Sequence, residues 1–527
     1  MPAQQARAKG FTSVRKDPAC GTCRKKCRKC DRTRPVCKRC TEKGLQCEGY
    51  PPRFQFTPFV PPGQDGEQER ITEPADEPQH VAATTSLSNL AISPPLITTP
   101  DTNPGLPTPS TSIVSGNERR SNSPPTISAA SNHSPISESI IQAYEPLLTH
   151  FEQDVAPCMI VVADGIDNPL REYVLPLAYR HDGVLQALLG LSACHVCHSG
   201  KETGRKIFTT ALQHRVAALH SLGALLLREE VVGLDEFEEE CVLAIVVLLL
   251  FHDICETGIS SHGAHLNGVA FLCARIASSK KLSRAPKPSL AFFVATLSWL
   301  DLLRGFSGAE KLVYVPEVRD CVVETWTPGF HALVGCPAPI FHSIGKVLEA
   351  AKAYKAGTLP LEGFQDILDS AENFLRKWDV EDTTYPTAGK EWRLLASAFR
   401  HGCLLRIMRW PETFSIPCEN EKIRASVGEI LDICAAVPRD STFYKRLLFP
   451  LFLAAADTKS AHQIHYADLC LDYIKVTTGF PSVGMTDVLE KVWDERREGT
   501  RGWTNVPWME FTCRSGLDGR QHAYLFF

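Results

Sequence analysis

Apolar residues recur at three- and four-residue steps from about residue 137 to the C-terminus, the spacing that places them on one face of an α-helix. Segments with this pattern are 183–195, 211–227, 290–303, 339–353, 392–408, 427–434 and 447–464. Asp182 precedes the first of them as a predicted N-cap. Runs with two-residue alternation are few and short. The pattern therefore predicts an all-α domain of roughly a dozen helices over 137–527.

The longest apolar run, residues 241–251, has eleven residues, whereas a membrane span needs about twenty. We therefore interpret it as a helix buried on nearly all sides, and we expect no membrane partner. The N-terminus has no apolar segment of a secretory signal. Thirteen cysteines are scattered from Cys158 to Cys513, mostly among apolar residues. This scatter is typical of buried thiols in a reducing compartment rather than of a disulfide framework.

The pattern differs before residue 137. Residues 51–135 contain 16 of the 37 prolines, many Ser and Thr, no cysteine and no sustained apolar period. Such a segment cannot bury enough apolar surface to offset its ordering entropy, so residues 51–136 are predicted to be a disordered linker. Residues 1–19 are predicted to be a basic disordered tail. Between them lies a cysteine-rich module, predicted to span residues 20–50.

The cysteine spacing predicts a metal centre in this module. Cys20-x2-Cys23-x6-Cys30 is followed, after six residues, by a second C-x2-C-x6-C unit formed by Cys37, Cys40 and Cys47. A C-x2-C turn directs two thiolates at one metal, and zinc prefers four thiolates in a tetrahedron. Six thiolates fill the eight positions of two zinc ions if two cysteines each bridge both metals. The predicted cofactor is therefore two Zn²⁺, which supply the folding energy of a module too short for its own apolar core.

Three other arrangements stay open at the level of spacing. A disulfide scaffold conflicts with the lack of a secretory signal. Two independent zinc sites need eight ligands, but the region has seven cysteines and no histidine before His80. A single site from Cys27, Cys30, Cys37 and Cys40 leaves a six-residue loop between its pairs, which is shorter than zinc-ribbon spacing.

Charge is distributed unevenly. Residues 1–53 hold 15 Lys/Arg and 4 Asp/Glu, a net of +11, whereas the remainder holds 41 and 56, a net of −15. With six thiolates and two Zn²⁺ counted, residues 20–47 carry about +6. This density predicts binding to a nucleic-acid backbone. The candidate DNA-binding residues are Arg24, Lys25, Lys26, Arg28, Lys29, Lys38 and Arg39, the first five on a short helix predicted after Cys23.

The segment from Cys20 to Cys47 resembles the fungal Zn₂Cys₆ binuclear-cluster transcription factors. All five cysteine spacings fit, and Lys29-Cys30-Asp31 and Arg34-Pro35 stand where that family usually has them. The resemblance implies that Cys20 and Cys37 are the bridging ligands. It also implies that the helix after Cys23 enters the major groove of double-stranded DNA, typically at a GC-rich, CGG-like triplet.

One position departs from the family. The fourth residue after the second cysteine is usually Lys or Arg and often touches bases, but here it is Cys27. Lys26 is retained, with Lys25 and Arg28 nearby. We expect Cys27 to affect which base triplet the protein prefers, but not its affinity for the DNA backbone.

The rest of the chain resembles the helical fungal-specific transcription factor domain of the second type. The matching segments begin at Asp167-Asn-Pro-Leu, Leu188-Leu-Gly-Leu, His262-Gly-Ala-His, Ala398-Phe-Arg-His and Leu447-Leu-Phe-Pro. The resemblance implies a regulatory domain that senses ligands or contacts co-regulators, and it implies no catalysis.

These observations predict a sequence-specific, zinc-dependent DNA-binding regulator of RNA polymerase II transcription, located in the nucleus. The alternative is a basic zinc-cluster protein that binds RNA or other nucleic acid without sequence preference. No catalytic residue is predicted: Cys194-His-Val-Cys197-His198 fits a haem-attachment pattern, but it ends an apolar helix and is discounted. The recurrent prolines through residue 135 argue against a coiled coil after the cluster, so we expect either a monomer or a homodimer formed through the helical body.

Overall fold

The chain divides into two units, residues 1–131 and 132–527. The computed structural model describes residues 20, 22–23, 26, 30, 36–47, 135–200, 204–260, 264–279, 286–512 and 523–526. The predicted tail over residues 1–19 and the predicted linker up to residue 134 therefore lie outside the described residues.

Cysteine side chains form the core of the described part of the first unit. Cys20, Cys23, Cys30, Cys37 and Cys40 are buried together, and Leu45 and Cys47 pack against them. The helix α1 (Lys38–Glu42) begins after Cys37, whose sulfur accepts the N-cap hydrogen bond. The predicted small metal-binding fold is thus built around thiols rather than around an apolar core.

Helices account for nearly all regular structure in the second unit, which confirms the predicted all-α fold. Its described residues contain eighteen α-helices and one two-stranded sheet. The elements are α2 (Glu138–Ala143), α3 (Glu145–His150), α4 (Ala156–Cys158), α5 (Leu175–Ala178), α6 (Asp182–His198), α7 (Arg205–Val231), α8 (Glu236–Glu256), β1 (Ile259–Ser260), α9 (Ala264–Ser279), α10 (Pro288–Ser307), α11 (Pro316–Glu324), α12 (Pro328–Val334), α13 (Ala338–Lys355), α14 (Leu361–Lys377), α15 (Lys390–Met408), α16 (Glu421–Ala436), α17 (Leu448–Ala456), α18 (Ala461–Thr478), α19 (Val483–Glu498) and β2 (Ala523–Tyr524).

The helix count exceeds the predicted dozen. Part of the excess comes from α2 to α5, which have three to six residues each. A π-helical turn at Phe151–Val155 separates α3 from α4, and another at Leu170–Val174 precedes α5, so the 3.6-residue period that sequence patterning relies on is interrupted there. The predicted N-cap of α6 was also wrong, because Asp182 is the first helical residue and His181 is the cap. Asp182 still lies in the first turn, where a carboxylate is favourable to the helix dipole.

Two helices form the centre of the body. In α8, which begins with a capping box between Asp235 and Glu238, every residue from Glu240 to Cys255 is buried. This confirms the prediction for residues 241–251. In α10 every residue from Phe292 to Ser307 is buried. Among the described residues, α10 alone is long and apolar enough to cross a membrane, but its burial within the body accounts for that composition.

The C-terminal residues of the second unit pack back onto its core. β1, just after α8, pairs antiparallel with β2, with Ile259 opposite Tyr524. Phe526 then packs on Phe452 of α17, with ring centroids 4.3 Å apart. The C-terminal residues thereby help to close the core rather than extending from it.

A buried ion pair breaks the segment predicted as one helix over residues 447–464. The chain leaves α17 at Asp457 and re-enters a helix at Ala461. The Asp457 carboxylate accepts hydrogen bonds from Arg409 Nε at 3.1 Å and Nη2 at 2.8 Å. The Thr458 hydroxyl accepts from the Ser460 amide at 3.1 Å, which competes with helical bonding. The prediction of a single helix is wrong, because these side-chain hydrogen bonds stabilise the non-helical backbone between α17 and α18.

We expect Asp457→Asn to lower the free energy of unfolding by about 3 kcal/mol, because it leaves the Arg409 charge buried and unpaired. Urea denaturation measures this change. The control is Asp487→Asn, which removes a half-exposed partner of Lys491 in α19 and should cost less than about 0.5 kcal/mol. Equal losses from the two substitutions would contradict the structural role of the buried pair.

Candidate metal centre and nucleic-acid interface

The two C-x2-C turns have the same local geometry. The amide of Cys23 donates to the sulfur of Cys20 at 3.4 Å, and the amide of Cys40 donates to the sulfur of Cys37 at 3.3 Å. Each turn also begins a helical turn: α1 in the second half, and in the first half the Lys26 amide, which donates to the Thr22 carbonyl at 3.2 Å. The sequence repeat is therefore also a structural repeat.

The six cysteine sulfurs form two overlapping groups of four. One group is Cys20, Cys37, Cys40 and Cys47, and the other is Cys20, Cys23, Cys30 and Cys37. Within each group all sulfurs lie within 4.8 Å of one another. Cys20 and Cys37 belong to both groups, and their sulfurs are 3.6 Å apart.

These distances fit zinc. A Zn–S bond of about 2.3 Å in a tetrahedron places neighbouring sulfurs about 3.8 Å apart. The Cys20–Cys40 and Cys23–Cys37 sulfur pairs are both separated by 3.8 Å. Thiolate sulfur is also the donor type that zinc prefers at structural sites. The cluster thus has the number, type and spacing of donors for two zinc ions with two shared ligands.

Burial affects the protonation of these thiols. It raises the pKa of Cys20 to about 12 and also raises the pKa of Cys37 and Cys40. Because thiolate rather than thiol is the metal ligand, zinc must displace protons when it binds. Two cations among six sulfurs provide the charge compensation that buried thiolates need.

One side-chain hydrogen bond joins the two halves of the module, and a helix cap shapes the second half. The Thr22 hydroxyl donates to the Gln46 carbonyl at 2.9 Å, which joins the first turn to the end of the second half. After α1, Gly44 adopts a left-handed φ of 61°. Its amide donates to the Thr41 carbonyl at 3.1 Å, and the Leu45 amide donates to the Cys40 carbonyl at 2.8 Å, forming a Schellman cap. This cap turns Leu45 onto the sulfurs.

Sequence reasoning missed Thr22, Gly44 and Leu45. A glycine directly after a predicted short helix is the usual signal of a left-handed C-cap, so Gly44 was detectable. Nothing in the sequence marks the bond from Thr22 to the Gln46 carbonyl, because it joins residues 24 positions apart.

Three of the predicted DNA-binding residues are described. Lys26 and Lys38 are exposed, and Arg39 is half-buried. Arg24, Lys25, Arg28 and Lys29 lie outside the described residues, as does Cys27. Lys26 follows the first C-x2-C turn, whereas Lys38 and Arg39 lie on α1 within the second.

The segment that fits a haem-attachment pattern has a structural role instead. His195, within Cys194-His-Val-Cys197-His198, is buried. Its Nδ1 lies 2.9 Å from Nε2 of His150, and its Nε2 lies 2.8 Å from the Thr478 carbonyl. In the described part of the chain, only the two cysteine groups bring three or more potential ligand atoms of His, Cys, Asp or Glu this close together.

We expect Gly44→Ala to weaken zinc retention by about 1 kcal/mol, because a side chain strains the left-handed conformation that turns Leu45 onto the cluster. Competition with a zinc chelator measures the effect. Gln46→Ala is the matched control, because it removes an exposed side chain and keeps the carbonyl that Thr22 binds. Unchanged retention in Gly44→Ala would show that the cap does not support the metal centre.

Comparison with known families agrees with this geometry. Residues 18–56 match the family model of the fungal Zn(2)-Cys(6) binuclear cluster domain, and residues 146–527 match that of the fungal specific transcription factor domain. Both are transcription factor domains rather than enzyme families. No curated protein and no solved structure matches the chain significantly. The second match alone covers more than half of the chain, so this protein belongs to the fungal-specific transcription factor family: it is a DNA-binding transcription regulator whose N-terminal domain is a Zn₂Cys₆ cluster for two zinc ions.

Proposed function

We propose that the protein is a zinc-dependent, sequence-specific DNA-binding factor that regulates RNA polymerase II transcription in the nucleus. The observation that carries the proposal is the sharing of Cys20 and Cys37 between two groups of four sulfurs. This sharing lets six cysteines satisfy two tetrahedral ions.

In this proposal one zinc binds Cys20, Cys37, Cys40 and Cys47, and the other binds Cys20, Cys23, Cys30 and Cys37. Each ion joins residues from both halves of the module. Metal binding and folding are then one equilibrium, because the module has thiols where a larger domain has an apolar core.

The two halves differ in the residues that follow their C-x2-C turns. Arg24-Lys25-Lys26 follows Cys23, whereas Thr41-Glu42-Lys43 follows Cys40 at the equivalent positions. A carboxylate in the second half is unfavourable beside phosphates, so we propose that the first half contacts DNA bases. Lys38 and Arg39, which lie within the second C-x2-C turn, would then contact the backbone.

The proposed target is a GC-rich, CGG-like triplet, which the family resemblance supports. Arg and Lys side chains reach the N7 and O6 acceptors of guanine in the major groove. With Cys27 at a position where relatives usually have Lys or Arg, base contacts would fall to Lys25, Lys26 and their neighbours.

The helical body is proposed to regulate the bound factor through co-regulators. It carries the acidic part of the chain, and its family match is to a transcription factor domain. A charge opposite to that of the cluster keeps the body from competing for the DNA backbone.

Zinc stoichiometry tests the ligand assignment. We expect the full-length chain to hold two zinc ions, Cys37→Ser to hold none, because Cys37 serves both ions, and Cys47→Ser to keep one at most. Elemental analysis and native mass spectrometry of the intact protein measure this. Cys197→Ser, a partly exposed thiol of the body outside both groups, is the control and should keep both ions. Full zinc content in Cys37→Ser would contradict the shared-ligand arrangement.

Selection from random duplex DNA tests the base preference. Full-length protein loaded with zinc should enrich a short GC-rich triplet, and a chelator should abolish the enrichment. Lys26→Ala should weaken binding to the selected site by about 1–3 kcal/mol if Lys26 contacts a base. Lys346→Ala, an exposed lysine of the body, is the control and should bind normally.

Binding that depends on salt without any enriched sequence would overturn the proposed specificity. It would favour the alternative of nucleic-acid binding without sequence preference. Equal affinity for single-stranded RNA and duplex DNA would identify that outcome. Recovery of enrichment in Cys27→Lys would then assign the loss to the residue in which this chain departs from its family.

A further inference from the structure

Helix α7 has two rows of apolar residues: among the described residues, the body buries one row and leaves the other partly exposed. Its inner face packs against α6 and α8 and buries Ile207, Ala211, Ala218, Leu222 and Leu225, among others. A second row faces outward; it consists of Phe208, Leu212, Val216, Leu219, Gly223 and Leu227 and is called here the outer row. In that row Phe208 is 49% exposed, Val216 44% and Leu227 56%, whereas Leu212, Leu219 and Gly223 are half-buried.

The outer row follows an eleven-residue period. Its steps are four, four, three, four and four residues, and Arg205 and Glu230 extend it by three residues at either end. Eleven residues in three turns is about 3.67 residues per turn, close to the 3.6 of a straight helix, so the row stays near one face and two such helices need only a slight right-handed supercoil to keep it in contact. At 1.5 Å per residue, the row with its two charged ends is about 37 Å long.

The order of the steps is the same in both directions. The centre of the row lies between Ala217 and Ala218. A twofold axis through this point, perpendicular to the helix, therefore relates the row to the same row of a second copy that runs antiparallel to the first. Phe208 then faces Leu227 of the other copy, Leu212 faces Gly223, and Val216 faces Leu219. Large residues face smaller ones at the first two levels, as close packing between helices requires.

The charges at the ends of the row are complementary in the same arrangement. Arg205 and Glu230 are both exposed, and the antiparallel axis places Arg205 of one copy beside Glu230 of the other. A parallel arrangement would place Arg205 beside Arg205 and Glu230 beside Glu230, and Gly223 opposite Gly223 would leave a gap.

The same two charges are unfavourable for α7 alone. Arg205 is the first residue of the helix and Glu230 lies in its last turn. The helix dipole favours acidic residues at the first turn and basic residues at the last, which is the reverse of what stands here. An ion pair with a second copy would compensate for this unfavourable placement of Arg205 and Glu230.

We propose that the outer row of α7 is a homodimer interface, in which a second copy of this chain docks antiparallel through the same row. Closed twofold symmetry is the commonest form of protein self-association, and it requires a self-complementary surface. The dimer would carry two zinc clusters, and so two DNA-reading modules, on one assembly. This inference goes beyond the proposed function and does not depend on it.

Sedimentation of the full-length protein tests the interface. We expect a reversible dimer at micromolar concentration, and we expect Leu227→Glu to raise its dissociation constant by more than about tenfold, because it places a carboxylate in an apolar contact. Val476→Glu is the matched control, since Val476 is 81% exposed on α18 and outside the row. A monomeric wild-type protein, or a dimer unaffected by Leu227→Glu, would overturn the proposal, and the row would then belong to another partner.

A charge-reversal cycle tests the antiparallel direction. Arg205→Glu alone and Glu230→Arg alone should each weaken the dimer by about tenfold, because each turns two attractive pairs into repulsive ones. The double substitution should restore wild-type association. Both changes improve the match to the helix dipole, so a weaker dimer cannot be attributed to a less stable helix. Single substitutions without effect would rule out the antiparallel pairing.

Zinc and DNA are not needed for either measurement. Loss of zinc in a Cys37→Ser variant that still dimerises would separate the two proposals, because the cluster and the outer row lie in different units of the chain. Dimerisation lost together with zinc would overturn the assignment of self-association to α7.

Discussion

Six cysteines have to supply the ligands of two tetrahedral ions, and this constraint determines the arrangement of the described residues of the N-terminal unit. Eight positions from six donors require two shared sulfurs. Cys20 and Cys37, each the first residue of a C-x2-C turn, are the two that belong to both groups of four. The repeat of spacing, the repeat of turn geometry and the placement of α1 all follow from bringing equivalent residues to both ions.

The helical body is stabilised by apolar burial rather than by metal binding. It buries α8 and α10 almost completely, and apolar burial supplies the stabilisation that metal supplies in the cluster. Its core also contains charge. Arg409 and Asp457 pair there, and Arg496 donates to the Thr458 carbonyl at 2.9 Å beside them. Such a pair adds little net stability but tolerates few geometries, which fixes where α17 ends.

Helix α7 carries apolar residues that the body leaves exposed. A helix that only covers a core needs one apolar face, and the second face of α7 has a regular period and oppositely charged ends. The acidic body and the basic cluster thus contribute different parts of one regulator. The cluster belongs to a DNA-binding family, and in the proposed dimer the body supplies the surface through which two copies of the regulator pair.

The sequence by itself determined the class of both units and the cofactor, because cysteine spacing and helical periodicity are local signals. The family resemblance it carried was confirmed over both domains. The tertiary structure decided what depends on distant residues: the break at Asp457 needs Arg409, and Thr22 needs the carbonyl of Gln46. The helices α3 to α5 adjoin π-helical turns, which interrupt the 3.6-residue period by which a helix is predicted from sequence. The spacing of the outer row is present in the sequence, but only the tertiary packing shows which apolar face of α7 the body buries.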